Sequence, residues 1–151
     1  MNNIFVYLEI EDGIVAEVSL ELLTKGRTLA DKLGCKLEAL AIGYNLDGVA
    51  AQVFPYGVDR LTIADDKRLK YYTTLPHTSI VVKLFKEEKP QIALLGATSV
   101  GRDLGPRVSS ALFSGLTADC TMLEIGEYED KKNNKHYDNL LYQIRPAFGG
   151  N

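Results

Sequence analysis

Cysteine and histidine are scarce in this 151-residue chain, two of each, and that scarcity removes whole classes of chemistry. Cys35 and Cys120 lie far apart and outside any CxxC spacing, so neither a zinc site nor a redox dithiol is encoded, and both are expected as buried, reduced thiols. His77 and His136 are too few for a histidine-rich metal centre, and no metal is expected. Long apolar runs are missing as well. The first stretch, Ile4 to Leu8, is far shorter than a signal-peptide core or a membrane span, and Met1-Asn2-Asn3 ahead of it carries no positive cluster, so a cytosolic chain without membrane insertion is expected. An excess of one charge is also lacking: 17 basic residues are scattered among 20 acidic ones for a net charge of -3, which leaves nucleic acid no electrostatic footprint.

What is present is a globular composition, 46% hydrophobic and 25% charged, at a length suited to one domain over residues 1–151. Ile4 to Ile10 is β-branched and aromatic and stops at Glu11-Asp12-Gly13, whose Asp-Gly pair suits a tight turn. Ser19 is placed to cap a helix with Glu21 in its first turn, and Leu22, Gly26, Leu29, Ala30 and Leu33 recur at helical spacing up to Gly34. Leu37 to Gly43 is a second apolar run. Val49, Ala50 and Val53 give a brief helical face broken by Pro55 and Gly57, and Leu61 to Ala64 reads as a third strand. Beyond the polar Asp65 to Lys70 segment, Pro76 suits a first helical turn, Ile80, Val81, Leu84 and Phe85 form one stripe, and Ile92 to Leu95 reads as a strand buried on both faces.

Strands alternating with helices predict an α/β fold, an open and mostly parallel sheet with helices on both faces. After Cys120 the pattern changes. Met122 to Ile125 and Leu140 to Ile144 read as an antiparallel hairpin near the C-terminus, joined by a long, charged, solvated loop from Glu127 to Asp138.

One loop carries the best chemical signal. Gly96, Ala97, Thr98, Ser99, Gly101, Arg102 and Asp103 lead from the buried strand into a helix expected to begin near Asp103, with Pro106 in its first turn. Unpaired N–H groups at such a start, together with the helix dipole, favour an anion or phosphate, so these seven residues are the candidate anion or nucleotide loop. The spacing is neither GxGxxG nor GxxxxGK[ST], and Glu9 and Glu11 after the first strand would repel a phosphate. The bland alternative is that Gly96 and Gly101 shape the connection, Thr98 and Ser99 cap the helix, and Arg102 and Arg107 are surface docking residues.

Catalytic constellations are not written here. Ser99, Ser109, Ser110 and Cys120 have no GxSxG elbow and no assignable histidine, so a hydrolase using Ser99 or Asp103 is the weakest reading, and no catalytic residue is assigned. Asp65-Asp66 beside Lys67 and Arg68 reads as a solvated turn before general acid–base work, and Tyr71-Tyr72 as packing or interface residues.

Taken in order, Val18 to Arg27, Ala64-Asp65-Asp66 with Tyr71 to Thr74, Leu95 to Thr98 with Gly101 to Leu104, Gly115 to Cys120, and Arg145 to Asn151 resemble the α subunit of electron-transfer flavoproteins. The resemblance runs the whole length and covers the amino-terminal domain, within which Asn151 falls. It implies an adenine-nucleotide α-hydrolase-like fold, an electron-carrier component rather than an enzyme, a heterodimer with a β subunit of related fold, and flavin dehydrogenases as partners through that complex. It places FAD in the complete heterodimer, held chiefly by a carboxyl-terminal domain that this chain lacks, so no flavin ligand is assigned. A nucleotide at Gly96 to Asp103 is a candidate by analogy with the partner β subunit. The rival reading is a free-standing adenine-nucleotide module of the universal-stress type.

Overall fold

The computed structural model describes residues 3–115, with side chains through Leu112, and the backbone of four further strands. Three central strands set the architecture. All five residues of β1 (Ile4–Leu8), all seven of β4 (Leu37–Gly43) and all four of β6 (Ile92–Leu95) are buried, because each strand is covered on both faces. β5 (Arg60–Asp65) extends the sheet at its edge and is only half-buried. β1 pairs in parallel with β4 on one side, Ile4 opposite Leu37, and with β6 on the other, Ile4 opposite Ile92; β5 pairs in parallel with β4.

Beyond β6 the sheet turns antiparallel through β10 (Tyr142–Pro146) and then β7 (Cys120–Leu123), giving the order β5-β4-β1-β6-β10-β7. The α/β class, the mostly parallel sheet and the late antiparallel pair agree with the sequence reading. The expected solvated loop from Glu127 to Asp138 does not: β8 (Glu127–Asp130) and β9 (Lys135–Asp138) pair antiparallel, Glu127 opposite Asp138, in a small sheet of their own. A dense run of charged and polar residues masked the strand signal there, and backbone pairing does not need apolar side chains. Of the family segments, 116–119 and 147–151 lie outside the described residues, as do the side chains of Cys120 and His136.

Helices supply the two outer layers. α1 (Glu17–Leu33) buries Leu22, Leu23, Gly26 and Ala30, and Gly34 ends it in the left-handed region at φ 68°. Gly26 lets this helix approach the sheet: a Cβ there would lie 2.7 Å from Leu37 Cδ1 and 3.3 Å from Val6 Cγ2. α2 (Val49–Val53) is a short link to β5. α3 (Thr74–Glu88) buries His77, Val81 and Phe85, the last edge-to-face with Phe5 at 5.4 Å between centroids. α4 (Ser99–Gly115) presents Leu104, Val108 and Leu112, all at most 2% exposed, and packs beside α3. Right-handed crossovers place α1 on one face of the sheet and α3 with α4 on the other.

Two helix starts differ from expectation. α1 begins at Glu17 with Ala16 as its N-cap, and Ser19 is a fully buried residue of the first turn whose hydroxyl accepts from the backbone of Glu9, just past β1, instead. α4 begins at Ser99, four residues before Asp103, so Pro106 sits inside the helix rather than in its first turn. Pro106 is exposed, and the helix is held by the packing of Leu104, Val108 and Leu112 on its buried face. Proline has no N–H to contribute to the helix, and its ring crowds the preceding turn. Pro106→Ala is therefore expected to stabilise the domain by about 1–2 kcal/mol, the helix gain less the unfolded-state entropy lost with proline, read from the urea midpoint.

Candidate functional site

The chain runs β1, β4, β5 in one direction and then returns to lay β6 on the opposite side of β1. The reversal leaves a crevice at the carboxyl ends of β1 and β6, where open α/β sheets bind ligands. Two connections border it.

The β1 side is built first by backbone. The Glu9 N–H donates to Ser19 Oγ at 2.8 Å, and the Ala16 N–H donates to the Glu9 carbonyl at 2.8 Å. Between them, β2 (Ile10–Glu11) and β3 (Ile14–Val15) form a hairpin whose turn, Asp12 at φ 51° and Gly13 at φ 79°, uses the left-handed region that the Asp-Gly pair predicts. Gln52 of α2 pins this hairpin, donating to the Gly13 carbonyl at 2.8 Å and accepting from the Val15 N–H at 2.8 Å.

The β6 side is Gly96-Ala97-Thr98. Thr98 caps α4: its Oγ1 accepts from the Gly101 N–H at 3.1 Å, and its carbonyl accepts from the Arg102 N–H at 2.8 Å. The same hydroxyl donates to Glu9 Oε2 at 2.7 Å. The crevice is thus bridged by a carboxylate, seated where a Cβ on Gly96 would come within 2.8 Å of it. Gly101 has a separate reason to be glycine, since a Cβ there would collide with the Gly96 carbonyl oxygen. Burial pushes the Glu9 carboxyl above its ordinary range, partly offset by the Thr98 hydroxyl.

Of the seven residues of the candidate anion loop, Gly96, Ala97, Thr98 and Gly101 are therefore brought together around Glu9. Ser99 is exposed in the first turn, and Arg102 is exposed on α4. Asp103 points elsewhere: it accepts from Tyr72 Oη and Thr74 Oγ1 at 2.7 Å each and faces Arg107 Nε at 3.4 Å. The Tyr72 and Thr74 hydroxyls hold its carboxyl below the usual range.

Beside this bridge opens a cleft of about 360 Å³, lined among others by Tyr7, Glu9, Glu11, Asp12, Tyr72 and His77. Sequence reasoning missed the last of these: a single histidine on a helix gave no sign that Tyr7 Oη and His77 Nδ1 would meet at 2.9 Å. Both residues are 3% exposed, and the Tyr72 ring stands edge-on to the imidazole at 4.9 Å. Burial lowers the His77 pKa, opposed in part by the Tyr71 carbonyl, and raises the phenol of Tyr7. Burial and then Asp103 push Tyr72 up to about 12.

The Asp65-Asp66 pair is structural. Asp65 accepts from the Asn45 and Leu46 N–H groups at 3.0 Å each, while Asp66 caps the turn of Lys67 to Leu69 and binds the Arg68 guanidinium, which lowers its pKa to about 2. Tyr71 is 72% exposed. Among the described residues no group of three or more His, Cys, Asp or Glu side chains could hold a metal ion, and Cys35 is a free, half-buried thiol.

Two outcomes test this geometry. Gly101→Ala should cost about 3 kcal/mol in chemical denaturation, because the added methyl meets backbone that cannot rotate away. For Glu9, a folded-state pKa raised above the unfolded value makes ionisation a cost to folding, one that sets in as pH rises through the unfolded pKa toward the folded one. Glu9→Gln should accordingly raise Tm at neutral pH, with the gain vanishing below about pH 4, where both side chains are uncharged. A Tm lowered by this substitution at pH 7 would contradict the burial argument.

The sequence matches the family model described as "Electron transfer flavoprotein domain" over residues 4–151. It is 45% identical to "Protein FixB" of Clostridium saccharobutylicum over 148 residues, covering 98% of this chain and 41% of that protein. It is 41% identical to "Electron transfer flavoprotein subunit alpha" of Clostridium acetobutylicum, with the same coverage. "Lactate dehydrogenase (NAD(+),ferredoxin) subunit LctC" of Acetobacterium woodii is 40% identical, with 98% of this chain and 33% of that protein covered. The chain thus spans less than half the length of these relatives. With a matched segment that takes in both borders of the crevice and is shared with α-subunit and FixB proteins, the chain belongs to the electron transfer flavoprotein domain family, on its α-subunit side.

Proposed function

We propose that this chain is the scaffold and β-subunit docking domain of a heterodimeric electron-transfer flavoprotein, which passes electrons from flavin dehydrogenases to an acceptor by way of FAD. The observation that carries the reading is the Glu9 carboxylate beside the start of α4, hydrogen-bonded at 2.7 Å to its capping hydroxyl. A dinucleotide would bring its phosphates to that helix end, where a carboxylate repels them. These residues therefore do not fit the pyrophosphate of FAD, and no electron-transfer step is assigned to them. FAD belongs, on this reading, to protein beyond this chain, and the domain contributes position rather than chemistry.

Its surface suits that task. Ile14 (64% exposed), Phe54 (45%), Tyr56 (39%) and Ile63 (45%) lie on the hairpin, on the α2 connection and on the β5 edge, where apolar groups gain by being covered. The names of the relatives, an electron-transfer subunit and a dehydrogenase-complex subunit, support a life in complexes. No helix among the described residues is long and apolar enough to cross a membrane. We place the chain in the cytosol.

A second reading, an adenine-nucleotide module of the universal-stress type, is favoured by the position of the Gly96 to Asp103 loop at the reversal of strand order. The two are separated by mixing the chain with the β subunit of its own complex and by calorimetric titration with AMP, ATP and FAD. Docking predicts co-elution across an interface of about 1,600 Å², weakened by Phe54→Ala and Ile63→Ala, and no micromolar heat from the nucleotides. Failure to co-elute together with micromolar AMP or ATP binding would replace the docking role with the nucleotide one.

A further inference from the structure

The histidine in the cleft wall is seated so that it has no room for a second proton. His77, in the first turn of α3, is 3% exposed. Its Nδ1 lies 2.9 Å from Tyr7 Oη, and its Nε2 is buried without a hydrogen-bond partner. A neutral imidazole accepts at one nitrogen and donates at the other, so Tyr7 serves Nδ1 and a single group is left unpaired. A protonated ring carries two N–H donors and a charge. Its Nδ1–H can turn to the Tyr7 oxygen, but its Nε2–H finds no acceptor, and neither nitrogen meets a carboxylate among the described residues.

The surrounding groups supply no counter-ion to the closed arrangement. From β1 come Tyr7, whose phenol burial keeps protonated, and Glu9, which is bonded to Thr98. The segment ahead of α3 brings Lys70, a like charge, and Tyr72, whose ring stands edge-on at 4.9 Å and whose hydroxyl is given to Asp103, itself backed by Arg107. The Tyr71 carbonyl favours a charged ring only as a dipole, and the start of α3 opposes it, because helix N-termini disfavour cations. Ile42 of β4 and Val100 of α4 add apolar lining to the cleft. Its rim is different: Glu9 together with Glu11 and Asp12 of the hairpin would favour an imidazolium once water reaches it. Of the contacts on the ring, Tyr7 belongs to a fully buried strand, whereas Tyr72 is half-buried in the irregular stretch between the Lys67–Leu69 turn and α3. Tyr72 is the contact that can yield.

We propose that His77 is a pH-operated latch: on taking a proton from solvent it displaces the Tyr72 ring, the Tyr72–Asp103 bond opens, and the Tyr71–Tyr72 segment leaves the cleft wall. The closed form binds that proton weakly, since burial holds the His77 pKa below its ordinary value of 6.5, while the open form binds it normally. The closed form therefore holds above that value and gives way as pH falls through it, the ratio of open to closed rising about tenfold per pH unit until the closed form titrates as well. Tyr71, 72% exposed, rides on the same segment, so the surface offered to a docked protein changes with the latch. The device stands whether or not this domain docks a β subunit, because all of its groups belong to this chain.

The test is an NMR titration of this chain from about pH 8 down to about pH 5, spanning the ordinary histidine range. It follows the ring resonances of His77 and Tyr72 and the exchange of the His77 amide, which donates to the Thr73 carbonyl at 3.3 Å. His136→Gln removes the other histidine as a source of signal. The His77 ring should titrate below the ordinary value, the Tyr72 ring should shift with the same midpoint, and the His77 amide should exchange about tenfold faster, relative to its intrinsic rate, for each pH unit. The amides of β1 and β4 should stay protected throughout. Tyr72→Phe keeps the ring and drops the bond to Asp103, so it should raise the onset by about one pH unit. His77→Gln should abolish the pH response, while anything Glu9 contributes would survive in that variant. A Tyr72 shift that persists in a folded His77→Gln protein, an onset unmoved by Tyr72→Phe, His77 titrating at its ordinary value with the Tyr72 ring unmoved, or β1 and β4 losing protection in step with the segment would each overturn the latch.

Discussion

The bond from the Thr98 hydroxyl to the Glu9 carboxylate, 2.7 Å long, closes the point where the order of the strands reverses, and much of the domain is arranged around it. Thr98 can reach Glu9 only because Gly96 has no side chain in the way and because Gly101 lets the first turn of α4 settle onto the Gly96 carbonyl. Ser19 in turn fixes the Glu9 backbone, which ties the start of α1 to the same spot. An internal carboxylate therefore sits where related architectures leave room for a ligand's anion, at some cost in desolvation.

A second set of bonds stiffens the opposite wall. Tyr72 and Thr74, ahead of and within the first turn of α3, both donate to Asp103 on α4, and His77 on α3 meets Tyr7 on β1. Three elements that are distant in sequence are held by short polar contacts at one end of the sheet, while Phe5 against Phe85 and the stripe of Leu104, Val108 and Leu112 hold them apolar beneath.

Much of the fold was legible. Ile4 to Leu8, Leu37 to Gly43 and Ile92 to Leu95 are apolar without alternation, which only strands covered on both faces require, and each is a fully buried strand. Gly34 and Asp12-Gly13 do what their backbone freedom suggests. Boundaries were harder. Ser19 has the chemistry of a cap, but its hydroxyl is claimed by Glu9, a partner ten residues away. Pro106 pointed to a helix start because isolated helices reject internal proline, whereas this helix is held by packing on its opposite face and keeps the ring in solvent.

The site was legible in its parts and not in its assembly. Gly96, Thr98 and Gly101 drew attention as a loop, and Glu9 as a charge hostile to phosphate, because local chemistry is written in residue type. That the carboxylate and the hydroxyl bond across 89 positions, that Asp103 turns to Tyr72 and Thr74, and that His77 lies under a tyrosine-walled cleft were decided by the sheet. By itself the sequence determined which segments are buried, where the backbone must turn and which family pattern the chain follows, since those depend on neighbours along the chain. Which polar groups meet depended on strand order and on the direction each helix returns, and only the tertiary structure sets those.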